Sequence, residues 1–429
     1  MTFIKTINLK TFAAFIIINF TAAFILLTCF SPYGADTGSL TISIGDSSRA
    51  IWQGNEYLDF EHEVILIGPG GTRTQTFTGT GTARFSNLAS GSYSINVRAV
   101  GDRPVAYNQF PSRMLRAYGI DTVEIRSGQT NNAHISMLPA TEVTNQAQFS
   151  QAIDLVDPLL GEYIVINNNF SVTVSGAAAF ANINGIDITI IAEEAVTVTS
   201  NGALFEIQDH SMLILGEPGM LGNIVFIGIN TSPLITFDPS YPESSLLTIN
   251  DGITLRNASN AIKNEGNLIM NGGTIIDNVI GVVNDGIFNM RGGTISDNEL
   301  GVHNGSDPAF PHASFNMYGG TIRNNNNPNT AGGVYVAMGI FNMQGGTISG
   351  NITSHAGGGV YVFDTGIFTK TGGTIYGNDA GVDSNIATLG GHAVFVTLRS
   401  MPTRSTKFLN TTIGPSVNLN SEAPGTGWQ

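Results

Sequence analysis

The tetrapeptide Gly-Gly-Thr-Ile occurs five times, at 272–275, 292–295, 319–322, 345–348 and 372–375, at intervals of 20, 27, 26 and 27 residues. Self-similarity at this period points to a solenoid, because one such unit cannot bury an apolar face alone and a core forms only when units stack. The copies align well beyond the tetrapeptide. Four residues before the first Gly stand Leu268, Phe288, Phe315, Phe341 and Phe368; two before it stand Met270, Met290, Met317, Met343 and Lys370. Three residues after the Thr come Asp277, Asp297, Asn324, Gly350 and Gly377, followed each time by an Asn: Asn278, Asn298, Asn325, Asn351 and Asn378. A further apolar stretch closes each unit: Gly281-Val282-Val283, Gly301-Val302-His303, Gly333 to Val336, Gly359 to Val362 and Ala393 to Val396.

Three short strands separated by Gly and Asn turns, with no helical period, describe one coil of a parallel β-helix. Coils stack at the ordinary strand spacing of ~4.8 Å, which sets like residue on like. Phe and Met columns then fill the interior. An Asn column supports amide ladders, and Asn tolerates the left-handed conformation that tight turns need. The chain contains 52 Gly and 41 Asn, and 19 of the Asn fall between 250 and 351, so the excess is turn chemistry of the rod. Strand-like pieces at 163–166, 170–174, 186–192, 195–199, 203–207, 212–215 and 224–227 extend the solenoid towards the N-terminus. Thr144 to Asp157 reads as an amphipathic helix, with Phe149, Ile153 and Leu155/Val156 on one face, suited to cap the open end of the stack. At ~24 residues per coil the rod is expected to have roughly eleven coils and a length on the order of 50 Å, closed at the far end by residues 408–419. From the helix and these columns, residues 140–429 resemble the pectin-lyase-like right-handed β-helix superfamily. The Gly-Gly-Thr-Ile-x-x-Asn coils look like those of repetitive bacterial surface proteins, including adhesin-like and polymorphic outer-membrane-like families.

Upstream, Ser39 to Ile44 and Glu63 to Ile67 alternate with period 2, as half-buried strands do. In Phe85-x-x-Leu88-x-x-Gly91-x-Tyr93-x-Ile95-x-Val97, the last three apolar residues share one face and Ser94, Asn96 and Arg98 the other. A strand at 122–125 leads through Gly128-Gln129-Thr130 to Ile135 and Met137. This segment resembles the carboxypeptidase-regulatory-like and prealbumin-like β-sandwiches. The whole is therefore expected to be all-β: a signal segment at 1–35, a small β-sandwich at 36–138, a linker with the capping helix at 139–160, and a right-handed single-stranded parallel β-helix at 161–429.

Many proteins of the pectin-lyase-like fold are polysaccharide lyases or glycosidases, and the resemblance makes such an enzyme the alternative reading. Asp277 and Asp297 are its candidate catalytic residues: they occupy one column in successive coils, and paired carboxylates suit acid–base work or a Ca²⁺ ion. Each also precedes a turn Asn, for which a solvated turn is the simpler account. No cofactor is otherwise called for. In the Gly-Val-x-Val strands the two Val face inward, so Val283, His303, Tyr335, Tyr361 and Phe395 form an outward column. His303, Tyr335, Tyr361 and Phe395 are the candidate ligand-binding residues, an aromatic strip on which sugar rings or a protein partner pack. His303, His312, His355 and His392 lack metal-ligand spacing, and His62 and His134 are isolated. With 18 Lys+Arg and a net charge of −14, no nucleic-acid partner is expected. The leading expectation is an exported bacterial surface protein with an adhesive or structural role, its partner a cell-surface glycan or protein.

Export is read from the N-terminus, where Lys5 and Lys10 precede an apolar run from Thr11 to Thr28, broken by Asn19 and Thr21. The only Cys follows directly, in Leu26-Leu27-Thr28-Cys29, which resembles a bacterial lipobox with larger residues than usual at 27 and 28. Two outcomes stand open: lipidation of Cys29, giving a membrane-tethered lipoprotein, or cleavage near Ala35, giving a secreted chain. Lipidation predicts that wild type incorporates labelled palmitate in cells and Cys29→Ala does not; equal labelling of both leaves only cleavage.

Overall fold

The computed structural model describes residues 37–44, 59–79, 81–176, 178–240, 244–310, 312–363, 365–397, 407–409, 413 and 419–420. The signal segment and Cys29 lie outside the described residues. The N-terminal unit is a β-sandwich. One sheet orders Thr82–Ala89, Thr37–Ile44 and Thr130–Ile135; the other begins with Gly71–Thr78, Glu61–Gly68, Gly91–Asp102 and Arg113–Ile125. The period-2 residues meet between them, with Leu40, Ile42, Phe85 and Leu88 facing Val64, Leu66, Tyr93, Ile95 and Val97 in one buried cluster. Gln75 bridges the two sheets at an open edge: its Nε2 donates to the Arg84 carbonyl at 2.6 Å and its Oε1 accepts from the Arg84 N–H at 2.9 Å. A side-chain amide thus does there what a neighbouring strand would do, which blunts the edge against other chains.

Residues 139–143, expected within a linker, belong to a strand that joins the two units. Leu138–Val143 pairs antiparallel with Arg113–Ile125 through Ala117↔Pro139 and Tyr118↔Leu138, and parallel with Glu162–Ile166 on its other edge. The sandwich sheet therefore runs without a break into the first wall of the solenoid, as one 15-stranded sheet. The helix follows, at Gln146–Asp154 (α1), shorter than the periodicity suggested. The Asn145 side chain caps it by accepting from the Gln148 N–H at 3.1 Å. Its buried face is Phe149, Ala152 and Ile153. Phe149 meets the rings of Phe170, Phe180 and Phe205 in the first coils, at centroid distances of 5.6, 5.7 and 6.1 Å. The helix closes the apolar end of the stack.

From Glu162 the chain winds through parallel sheets. The second wall has 9 strands, one per coil, so the described rod has nine coils rather than eleven. Two causes account for the difference. Early coils are longer than 24 residues, the third spanning from Met212 to the start of the fourth at Leu246. After Thr397 the chain reverses, and Lys407–Leu409 and Leu419–Asn420 pair antiparallel with the third and first walls of the last coil. Coils seven to nine carry a small fourth sheet, Asn326–Asn327, Ile352–Thr353 and Ile386–Ala387.

The columns stack in register. Phe288, Phe315, Phe341 and Phe368 pair strand to strand, their rings 4.7, 4.7 and 5.0 Å apart and within 19° of parallel. Met290, Met317 and Met343 lie beside them at 0% exposure. Lys370 ends that column, also at 0%, with its ammonium donating to the Gly373 carbonyl at 2.9 Å.

Two Asn ladders run inside the turns. In the first, Asn278, Asn298, Asn325 and Asn351 each donate Nδ2–H to the Oδ1 of the next, at 2.9–3.0 Å, and the last acceptor is Asn385. The same Oδ1 atoms accept the backbone N–H of the preceding Asn. Asn378, expected as the fifth rung, is exposed. A longer turn containing the 3₁₀ segment Gly381–Asp383 carries the chain on to Asn385 instead. The second ladder, Asn264, Asn284 and Asn304, is fully buried, with amide bonds of 2.6 and 2.7 Å. We expect Asn298→Ala to cost about 3 kcal/mol, since it strands the buried backbone N–H of Asn278 and breaks the side-chain ladder on both sides of the rung. Asn342→Ala, in the half-buried outer row with Asn316, is expected to cost under about 1 kcal/mol. Urea denaturation of both variants tests the ranking.

Candidate functional site

The Gly-Val-x-Val strands have the parity expected. Val334, Val336, Val360, Val362, Val394 and Val396 point into the core at 0–1% exposure. The residues between them leave the core and form a continuous outer column, paired Val283↔His303↔Tyr335↔Tyr361↔Phe395. Their rings touch in sequence, His303–Tyr335 at 5.0 Å and Tyr335–Tyr361 and Tyr361–Phe395 at 5.4 Å. Phe363 joins the group, 6.2 Å from Tyr335 and 6.1 Å from Tyr361; the x-position pattern did not mark it because it follows the second Val.

The strip is less open than the sequence suggested. Tyr361 is only 6% exposed, and His303, Tyr335 and Phe395 are half-buried. Long turns of the last coils fold beside the rings. Ala331 and Leu300 pack with Tyr361 in a small apolar cluster outside the rod's interior, with Tyr335, Phe363 and Phe395 against it. Gly357 and Gly391 lie so close to Tyr361 and Phe395 that a Cβ on either would come within 2.6 Å of the aromatic residue's own Cβ. The rings are thus held tilted or edge-on against one another, which restricts their rotamers before any ligand arrives. Burial lowers the basicity of His303, and Asp285 partly opposes this. At the far side, the ring of His355 lies 5.6 Å from Tyr361, and its buried Nδ1 has no partner among the described residues.

The second candidate, Asp277 with Asp297, has a backbone explanation. Both have positive φ, 58° and 56°, and share a column with Asn257 (58°), Asn324 (56°) and Gly350 (65°). Gly, Asn and Asp are the residues that enter this left-handed region at least cost. The carboxylate of Asp277 is held by Arg256 at 2.7 Å, both side chains 40% exposed. Among the described residues no three His, Cys, Asp or Glu side chains gather as a metal ion requires.

Ionisable groups converge elsewhere, at the seam between sandwich and rod. Arg98, from the face opposite Val97, reaches across to Glu142 on the joining strand and Glu193 on the second coil. Asn96, on the same face, is fully buried and accepts the Tyr118 hydroxyl at 2.6 Å. On the opposite face of the joining strand, Glu162 is buried at 5% exposure and accepts from the Thr141 hydroxyl. Burial pushes its carboxyl up to about 7, against the opposing effects of Thr141 and the Arg116 charge. No residue pattern marked this cluster, because its members are distant in sequence.

No protein-family model matches the chain, and neither the curated proteins nor the solved structures include a significant match to it.

The Glu162 carboxyl keeps its proton in the folded state at a pH where an unfolded chain has lost it. That contribution to stability is fully present below about pH 4 and is lost as pH rises through about 7. Glu162→Gln should remove a dependence on the order of 3 kcal/mol between pH 4 and pH 8. Equal pH slopes for wild type and variant in urea denaturation would refute this.

Proposed function

We propose that the protein is an exported bacterial surface protein with an adhesive or structural role, and that its outward aromatic column is the face that binds a glycan or partner protein. The same proposal places the rod among the pectin-lyase-like β-helix proteins of repetitive surface type. The observation that carries the binding reading is the in-register ring column His303, Tyr335, Tyr361 and Phe395, with contacts of 5.0–5.4 Å along one wall. Packing accounts for Tyr361, but at His303, Tyr335 and Phe395, which stay half-buried, polar side chains would serve solubility better. A row of rings repeating at coil spacing offers a polymeric or extended ligand several weak contacts that add. The paired Asp277 and Asp297 do not favour the enzyme alternative: an Arg holds one of them, and the backbone accounts for both.

The test is a glycan and matrix-protein array probed with the exported body. Tyr335→Ala, at a half-buried position, is expected to lower the strongest signals about tenfold while changing stability by under about 1.5 kcal/mol. Tyr361→Ala, at a buried position, should cost about 3 kcal/mol. Retention of binding in a folded Tyr335→Ala/Phe395→Ala variant would sink the assignment.

A further inference from the structure

The ring column is one half of a longer row. Followed towards the N-terminus, strand pairing continues it through Val283↔Lys263, Lys263↔Thr236, Thr236↔Glu206 and Glu206↔Asn182. The third wall thus changes along its length from polar and charged to aromatic. At the polar end lies a cleft of about 370 Å³, lined by Glu206, Thr236, Lys263 and Glu265 from the wall, with Asn201 and Ser232 from neighbouring turns. Pro233 and Pro239 supply an apolar side.

The cleft is built around an ion pair whose carboxylate is buried and whose ammonium is half exposed. Glu265 is 2% exposed, and its Oε1 accepts from the Lys263 ammonium at 2.6 Å. Its other oxygen, Oε2, is buried without a hydrogen-bond partner among the described residues. A carboxylate held out of water and half satisfied is costly, and such groups are commonly kept at ligand sites. Lys263 is 44% exposed, so its ammonium offers donors to the cleft as well as to Glu265. Glu206 accepts from Gln208 at 3.1 Å and keeps acceptor capacity.

The chemistry narrows the ligand class. An anionic ligand would meet two carboxylates, and a cationic one would meet Lys263. A neutral, hydroxyl-rich ring answers both, since each hydroxyl donates and accepts, and its C–H face suits the side formed by Pro233 and Pro239. We infer that this cleft binds one pyranose ring of a neutral glycan whose following units run along the third wall towards the aromatic rings. This rests on the glycan form of the binding role proposed above. From Lys263 to Tyr335 there are three coil spacings, about 14 Å, which an extended oligosaccharide spans.

The experiment separates the two claims. Methyl glycosides of glucose, galactose, mannose and N-acetylglucosamine are titrated into the exported body by ligand-observed NMR, and the array polysaccharides are measured in parallel. At least one methyl glycoside should bind wild type and Tyr335→Ala equally, and about tenfold more weakly to Glu206→Gln and to Lys263→Met. Glu206→Gln removes a contact without stranding the buried Glu265, so a folding defect in Lys263→Met leaves the test intact. Absence of binding by any of the four glycosides, or binding that both cleft variants retain, overturns the cleft. If polysaccharide binding is lost in Tyr335→Ala but kept in folded Glu206→Gln and Lys263→Met, the wall reading stands and the cleft fails. If glycosides bind as expected while polysaccharide binding ignores Tyr335, the cleft stands and the wall reading fails.

Discussion

Everything in this protein depends on register between coils. A parallel strand pair slipped by one residue turns every side chain to the wrong face. Along this rod such a slip would drive Asn and Thr into the core and expose Phe and Val. The Asn278–Asn385 ladder guards against it, because each amide spans to its copy in the next coil and also takes up backbone groups that a tight turn leaves unpaired. The Phe stack at 4.7–5.0 Å repeats the constraint in apolar form. Once register holds, the outward residues of the third wall have no freedom to scatter, and a row of rings follows from a row of codons.

The second organising contact is the strand Leu138–Val143, bonded to the sandwich on one edge and the rod on the other. It makes the two units one sheet, and the seam is filled by apolar residues Leu115, Tyr118, Tyr163 and Ile191 with Arg98 and its carboxylates beside them. The sandwich face opposite Val97 is therefore an internal surface, which is why it carries a buried Asn rather than only solvated groups.

Legibility in the sequence follows the repeats. From Leu268 onward the copies align against one another, and both the inward columns and the parity of the Gly-Val-x-Val strands are readable from the residues alone. The coil count is not, because spacing varies and the chain reverses after the ninth coil. Asn378 occupies the right place in the alignment and the wrong place in space: an inserted 3₁₀ segment shifts the rung to Asn385, and an insertion is invisible to spacing arithmetic. The partial burial of Tyr361 depends on how turns near Ala331 and Gly357 fold across it. Glu162 with Thr141 and Arg116, and Lys263 with Glu265 beneath Glu206, come from contacts between coils or units that carry no local pattern.

The orientation of the inter-coil hydrogen bonds has a mechanical consequence. Strands run across the rod and their bonds along it, so a load on the last coil pulls in line with the bonds and meets them a few at a time. The rod would yield by unspooling coil after coil, releasing 20 to 34 residues of slack with each, rather than by one abrupt rupture. The seam differs, since Leu138–Val143 is bonded on both edges and backed by the Arg98 bridges. A tether attached at the sandwich would stay anchored while the distal coils absorbed extension, as a line runs off a reel whose axle is fixed.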